Sequence, residues 1–396
     1  MSVWSSLVGQ DDAVAKLSEA AASARAIVAS RAGSAAREDA RSMSHAWLIT
    51  GPPGSGRSVA ARAFAAALQC TGEEVGCGTC PGCRTTMGRT NADVLFVATE
   101  TSIINVETAR SLVLQAQSSP SQGLWRVIVV EDADRLGEAG ANALLKAIEE
   151  PPEHTVWLLC APSPEDMIAT IRSRCRHLGL RIPTANAVAD LLVREGVATP
   201  EVALEAARAA QSHIGLARAL AADPEMRARR RAIVTAPVSV RSVGEAVLAA
   251  DRLLETAKAQ ADAQVSERNA REKAELLRQL GMEEDERATK ASRTLIRQLE
   301  EDQKRRSKRA LTDAIDRALI DLLAIYRDVL MTQVGGDGEL INTDLADLVR
   351  SIAAESTPRQ TLSRVDHIET ARRRLKSNGN TLLVLEDMAI SLRPQA

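Results

Sequence analysis

The chain has 396 residues, 45% of them hydrophobic and only 2% aromatic, with a formal net charge of −2. At roughly 100–200 residues per domain that length predicts two to four domains, and an Ala- and Leu-rich composition so poor in aromatics favours helices over an all-β fold. The near-neutral balance gives no global pull toward nucleic acid, the scarcity of Phe and Tyr argues against base stacking, and no apolar run reaches the ~18 residues of a membrane span.

The opening MSVWSSLVGQDDAV has no basic segment followed by an apolar one, so no signal peptide is expected and the location is read as cytoplasmic. Up to residue 183, strand-length apolar runs alternate with helical patterns. HAWLIT (45–50), DVLFVA (93–98), WRVIVVED (125–132) and HTVWLLCA (154–161) predict strands, and 57–69, 107–118 and 139–150 predict helices. That alternation predicts a parallel α/β sheet over residues 1–183. AGSAAREDARSMS (32–44) is small and polar and reads as a loop.

From residue 184 the strand pattern stops. TANAVADLLVREG, PEVALEAARAAQ and GLARALAADPEMRARRRAIV carry apolar faces at helical spacing and predict a small helical domain over 184–245. The remainder, 246–396, is also helical, with Ile315, Leu319, Leu322, Ile325, Tyr326 and Val329 on one stripe before the turn GGDGE (335–339). Between 258 and 310 charge is dense. A long solvated helix is the plain reading there; partial disorder or a basic tract for nucleic acid are the alternatives.

The predicted strand HAWLIT runs directly into Gly51-Pro52-Pro53-Gly54-Ser55-Gly56-Arg57-Ser58-Val59, the candidate nucleotide-binding stretch, and the helical pattern of 57–69 follows. Strand, glycine-rich loop and helix in that order form a phosphate cradle, because glycines let backbone N–H groups converge at a helix N-terminus. The pattern G-x-x-x-x-G-K-[ST] asks for lysine where Arg57 stands. A planar guanidinium is a poor substitute for a compact ammonium in positioning a terminal phosphate. Ser58 keeps the hydroxyl that would meet Mg²⁺. On the third predicted strand, RVIVVEDADRL puts Glu131 and Asp132 where a metal-holding acid and a water-orienting acid are expected, in reversed order of size. Two departures in two boxes predict a site for ATP or ADP with Mg²⁺ that is weak or inert.

Cys70, Cys77, Cys80 and Cys83 form C-x6-C-x2-C-x2-C, with Gly76, Gly78, Pro81 and Gly82 supplying turns. In a reducing compartment such a cluster points to metal rather than disulfides. Four thiolates leave no ligand position open, which predicts structural Zn²⁺, with redox cysteines as the alternative. His45, His154, His177, His213 and His367 have no ligand spacing.

A phosphate loop followed by four cysteines, then VVEDADRL, ANALLKAIEEPPEHTVWLL and TIRSRC, resembles the bacterial clamp-loader subunits of the AAA+ class, well over about residues 3–220. Within that family the eroded nucleotide boxes beside an intact cysteine module and Ser173-Arg174-Cys175 resemble the delta-prime branch of the DNA polymerase III loader. The C-terminal SNGNTLLVLEDMAISLR, with Asn380, Leu383 and Glu386, resembles its last collar helix. The resemblance implies an AAA+ domain, a helical lid over 184–245 and an all-α collar over 246–396 that holds a ring of subunits. It implies gamma/tau and delta subunits as partners, with the sliding clamp and primed DNA as the objects handled. It implies that Arg174 contacts a γ-phosphate on the neighbouring subunit, and Gly215-Leu216-Ala217-Arg218 resembles the box whose arginine reads the γ-phosphate, with a solvated helix residue as the alternative for Arg218. Val8, Gly9 and Gln10 match a box lining the adenine pocket, and Ser163 is a loose match to a sensor position. The rival readings are an active loader ATPase of gamma/tau type, and a zinc-dependent DNA-binding module using the runs Arg227–Arg231 and Lys304–Arg309.

Overall fold

The four apolar runs become neighbours in one sheet, joined by a strand that carries no such run. The computed structural model describes residues 2–31, 42–98, 103–238, 240–280, 290–336, 338–377 and 379–393, so most of the loop expected at 32–44 lies outside the described residues. Strands β1 (Ala46–Thr50), β2 (Val94–Val97), β3 (Arg126–Val130), β4 (Thr155–Ala161) and β5 (Arg176–Gly179) pair in parallel in the order β2-β3-β4-β1-β5. β5 was not expected. In RHLG only Leu178 is buried, and the strand is recruited by its ladder to β1, from Trp47 opposite Arg176 to Thr50 opposite Gly179.

Helices cover both faces, which is why the strands read as continuous apolar runs rather than alternating ones. Alternate residues enter different cores. Trp47, Ile49, Val129 and Leu158 pack with Leu17 of α1 (Asp11–Arg31) and Phe64 of α2 (Arg57–Leu68). The short α3 (Pro81–Met87) follows in the chain. On the other face Leu48, Ile128, Trp157 and Leu159 pack with Leu112 of α4 (Val106–Ala116) and Leu144 of α5 (Glu138–Glu149). The indole of Trp47 meets the Phe64 ring edge-on at 5.2 Å, and loss of a buried ring of this kind costs about 3–5 kcal/mol. All the strands point their C-terminal ends to one edge of the sheet, where α/β folds build their sites.

By compactness the chain divides into residues 1–218 and 219–396. The first unit ends with α6 (Ala169–Arg172), the packed pair α7 (Ala185–Arg194) and α8 (Pro200–Ala209), and most of α9 (Ile214–Ala222). The second holds α10 (Pro224–Val238), α11 (Val243–Gln279), α12 (Lys290–Gln333), α13 (Ala346–Glu355), α14 (Pro358–Lys376) and α15 (Thr381–Ser391). Its core is the stripe from Ile315 to Val329, closed by Leu253, Val349, Ile368 and Leu385, with Val234 of α10 inside it. Reciprocal capping boxes start α11 (Ser242 with Glu245) and α14 (Thr357 with Gln360), and Asn380 caps α15 by accepting from Leu383 N at 3.3 Å. Further along, α11 and α12 run together as a charged hairpin past Ala261, Val265 and Ala310. There Arg306 reaches Asn269 at 2.7 Å and Glu272 at 2.8 Å. Residues 281–289, inside the charged segment, lie outside the described residues.

Candidate functional site

The phosphate loop leaves β1 at Gly51, whose N–H donates to Pro162 O at 3.2 Å and so ties the loop to the end of β4. Pro52 and Pro53 follow, and Ser55 N donates back to Pro52 O at 3.0 Å. Gly54 and Gly56 have φ of 90° and 89°, which only glycine adopts without strain. A Cβ on Gly54 would lie 2.9 Å from Cα of His213, so the turn between α8 and α9 sits directly against the loop. From the other side Gln10 is buried, its amide N–H donating to Ser55 O at 3.2 Å and Arg181 O at 2.6 Å. Gly56 caps α2, and Ser58 and Val59 lie in the first turn of that helix. Arg57 does not point away from its loop: its Nη1 donates to the carbonyl of Gly51.

Glu131 and Asp132 follow directly on β3, at the same edge of the sheet. Glu131 N donates to Val97 O at 2.8 Å, and its carboxylate pairs with Arg89 at 2.6 Å. Burial first, and then the charges of Glu131, Arg57 and Asp132, act on the thiol of Cys160 and leave it pushed up to about 12. The carboxyl of Asp134 is raised, by burial first and then by Asp132, while Arg135 and Arg57 oppose the shift. Arg57, Glu131 and Asp132 therefore share one electrostatic neighbourhood, as a nucleotide site requires. Ser163, at the end of β4, has its N–H on the carboxylate of Asp166 at 2.9 Å.

Arg174 stands apart, on the turn after α6. Its side chain is 39% exposed, its Nε pairs with Glu149 at the end of α5, and its Nη1 donates to Thr170 O at 2.8 Å. Burial pushes the neighbouring Cys175 thiol up to about 12. Arg218 is held by a forked pair with Glu195, at 3.0, 2.8 and 2.7 Å. The basic runs are largely tied to their own chain. Arg227 donates to the carbonyls of Leu220 and Ala221, Arg230 and Arg231 pair with Asp321 and Asp344, and Arg305, Arg306 and Arg309 pair with Asp302, Glu272 and Asp313.

The cysteines converge. The Sγ atoms of Cys70, Cys77, Cys80 and Cys83 all lie within 4.8 Å of one another, with Cys70 to Cys77 at 3.7 Å and Cys80 to Cys70 at 3.9 Å. Thiolates around one tetrahedral zinc at 2.3 Å would stand about 3.8 Å apart. Backbone N–H groups of Cys80 and Cys83 donate to the sulfurs of Cys77 and Cys80, each at 3.4 Å. The hydroxyl of Thr79 first, then the backbone N–H groups of Cys80 and Thr79, lower the Cys77 thiol to about 6. The donor set fits zinc, and these four residues would hold it as a closed structural centre. The sequence reading missed Arg89, Glu149 and Glu195, the partners of Glu131, Arg174 and Arg218. Arg89 and Glu195 stand in no motif, Glu149 lies in ANALLKAIEEPPEHTVWLL without a partner named by it, and only the fold brings each to its partner.

Residues 34–184 match the family model described as DNA polymerase III, delta subunit, and residues 286–393 match that described as DNA polymerase III, delta subunit, C terminal. DNA polymerase III subunit gamma/tau of Mycobacterium tuberculosis is 35% identical over 159 residues, 39% of this chain and 28% of that protein. Subunit delta′ of Escherichia coli is 33% identical over 189 residues, 47% of this chain and 57% of the relative. Subunit delta′ of Pseudomonas aeruginosa is 34% identical over 165 residues, 41% and 50% of the two chains. The matched region thus spans from 28% to 57% of the length of these relatives. The solved gamma-subunit-related protein of Thermotoga maritima aligns with 88% of this chain and 93% of its own, at 17% identity and a TM-score of 0.40, a loose likeness. These matches relate the chain to the clamp-loader subunits of DNA polymerase III, with delta′ and gamma/tau relatives at like identity.

Proposed function

We propose that this chain is a delta′-type subunit of the clamp loader, acting beside gamma/tau and delta subunits to open the sliding clamp and set it on primed DNA. One observation carries the choice of delta′ over gamma/tau. The loop's own cation, Arg57, is turned onto Gly51 and the acid Glu131 onto Arg89, while Arg174 is propped on an exposed turn. A guanidinium fork supplied to a neighbour stabilises charge developing on a transferred phosphoryl group without any turnover in its own subunit. In this reading residues 1–183 are the AAA+ domain, 184–245 its lid and 246–396 the collar. Zn²⁺ is structural, ATP or ADP with Mg²⁺ binds weakly, and the protein works in the cytoplasm at the replisome.

The pairing of the basic runs with their own chain speaks against the DNA-binding-module reading, for which salt-dependent DNA affinity of the isolated chain is the sign. The loader reading is tested by assembly. Mixed with gamma/tau and delta subunits, the chain should elute as part of one complex, and omitting it should abolish clamp loading on primed DNA. ATP turnover by the isolated chain would favour the gamma/tau-type reading instead.

A further inference from the structure

Arg89 ends the turn after α3, six residues beyond Cys83 in the chain. Its φ is 58°, a left-handed conformation that a residue with a side chain keeps only where its surroundings hold it. They do. Its N–H donates to Thr86 O at 3.0 Å, and its guanidinium lies 5.1 Å from the centroid of the Phe96 ring. Phe96 is on β2, opposite Val129 of β3. The side chain thus crosses the edge strand and places Nη2 2.6 Å from Oε1 of Glu131, whose own side chain is only 14% exposed.

A second cation lies close by. Arg62 stands four residues after Ser58 on α2, the spacing that puts two residues on one helix face. Burial chiefly, and then the charge of Arg89, hold the Arg62 guanidinium below its ordinary range, with Glu131 opposing. A divalent ion held by the acid at this position would compete with a hydrogen-bonded guanidinium for the same carboxylate and meet Arg62 as well. Magnesium needs near-octahedral oxygen ligands at about 2.0–2.1 Å, and like charge nearby weakens any cation that tries to join. The residues present do not fit the ion that the loop and strand motifs imply.

We propose that Arg89 takes the place of the divalent cation beside Glu131 and excludes Mg²⁺ from the phosphate-loop site of this chain. The proposal rests on reading residues 51–58 and Glu131 as a nucleotide site in form; it does not rest on Arg174 or on the partners. It also gives the cysteine module a second task, since the segment that follows Cys83 is what carries Arg89 to the site.

The probe is Mn²⁺, which replaces Mg²⁺ at oxygen sites and is read by electron paramagnetic resonance. It is titrated with ADP into the full-length chain, into Arg89→Ala, and into Arg89→Met, which keeps a stem over Phe96 without the charge. Both variants should bind Mn²⁺ with ADP at least tenfold more tightly than the wild type, and adding Glu131→Gln should remove the gain. Zinc content and the melting curve report whether each variant is folded. Equal Mn²⁺ binding by the wild type and a folded variant, whether strong or absent, overturns the proposal, as does a gain that survives Glu131→Gln. A loader that depends on Arg174 while neither Arg89 variant gains metal would fail this proposal alone.

Discussion

Arg57, at the start of α2, bends back to the carbonyl of Gly51 in the loop that bears it, whereas Arg174, on the turn after α6, has Nε on Glu149 and Nη1 on Thr170 O and keeps 39% of its side chain exposed. The two regions share a sheet and differ in what surrounds the guanidinium. In the loop, glycine geometry, the closeness of His213 to Gly54 and the Gln10 bonds are requirements of the fold, and they persist whatever the cation does. At the turn the guanidinium is bonded to Glu149, Thr170 and Ser173 and still keeps 39% of the side chain exposed. On the proposed reading, a motif outlasts its chemistry where its glycines also serve packing, and an exposed arginine with well-placed supports is the better indicator of a working group.

The substitutions that strain this contrast can be ranked. Arg174→Ala in the assembled loader should lower ATP turnover at the neighbouring site by about a hundredfold or more. Arg174→Lys should recover little, because the fork is lost; steady-state turnover measures both. Cys83→Ser should abolish stoichiometric zinc and lower the melting temperature by about 5 °C or more, read by metal analysis and calorimetry. Glu149→Gln should leave the fold intact and cut the Arg174-dependent turnover by about threefold to tenfold, since a positioned group loses its support.

Asp93 tests the frame. Burial alone would raise its carboxyl, but backbone amides of Ser121, Gln122 and Gly123 and the Ser121 hydroxyl outweigh burial and leave it below the usual range. A carboxyl depressed in the folded state adds stability above its unfolded value of about 3.9, and loses it as pH falls through the lower folded value. Denaturant titrations below pH 4 should show a shallower loss for Asp93→Asn than for the wild type, from a lower starting stability. Smallest of all, Arg57→Ala should change loader turnover by less than about twofold, because its charge is already turned inward.

Much of the frame was legible in the sequence. Four of the strands are apolar runs because both faces are covered, and the loop and the cysteine cluster are local patterns whose spacing carries their geometry. β5 was not legible, because a strand with one buried residue leaves no run. α1 was not either: Ala20, Ala21 and Ala24 form much of its buried face, and alanine marks a face weakly. The pairs that decide the site span 42 residues for Arg89 with Glu131, 25 for Arg174 with Glu149 and 23 for Arg218 with Glu195. No local periodicity encodes such pairs; they exist only once the elements that bear or adjoin them have packed: α3 and β3 for the first, α5 and α6 for the second, α7 and α9 for the third.

The most direct measurement sets the two arginines against each other. ATP turnover of the reconstituted loader, with sliding clamp and primed DNA, is compared for the wild type, Arg174→Ala and Arg57→Ala, each change made in this chain alone. The account predicts a large loss for Arg174→Ala and near wild-type turnover for Arg57→Ala. A large loss for Arg57→Ala with turnover preserved in Arg174→Ala would contradict it and make this chain a working ATPase in its own right.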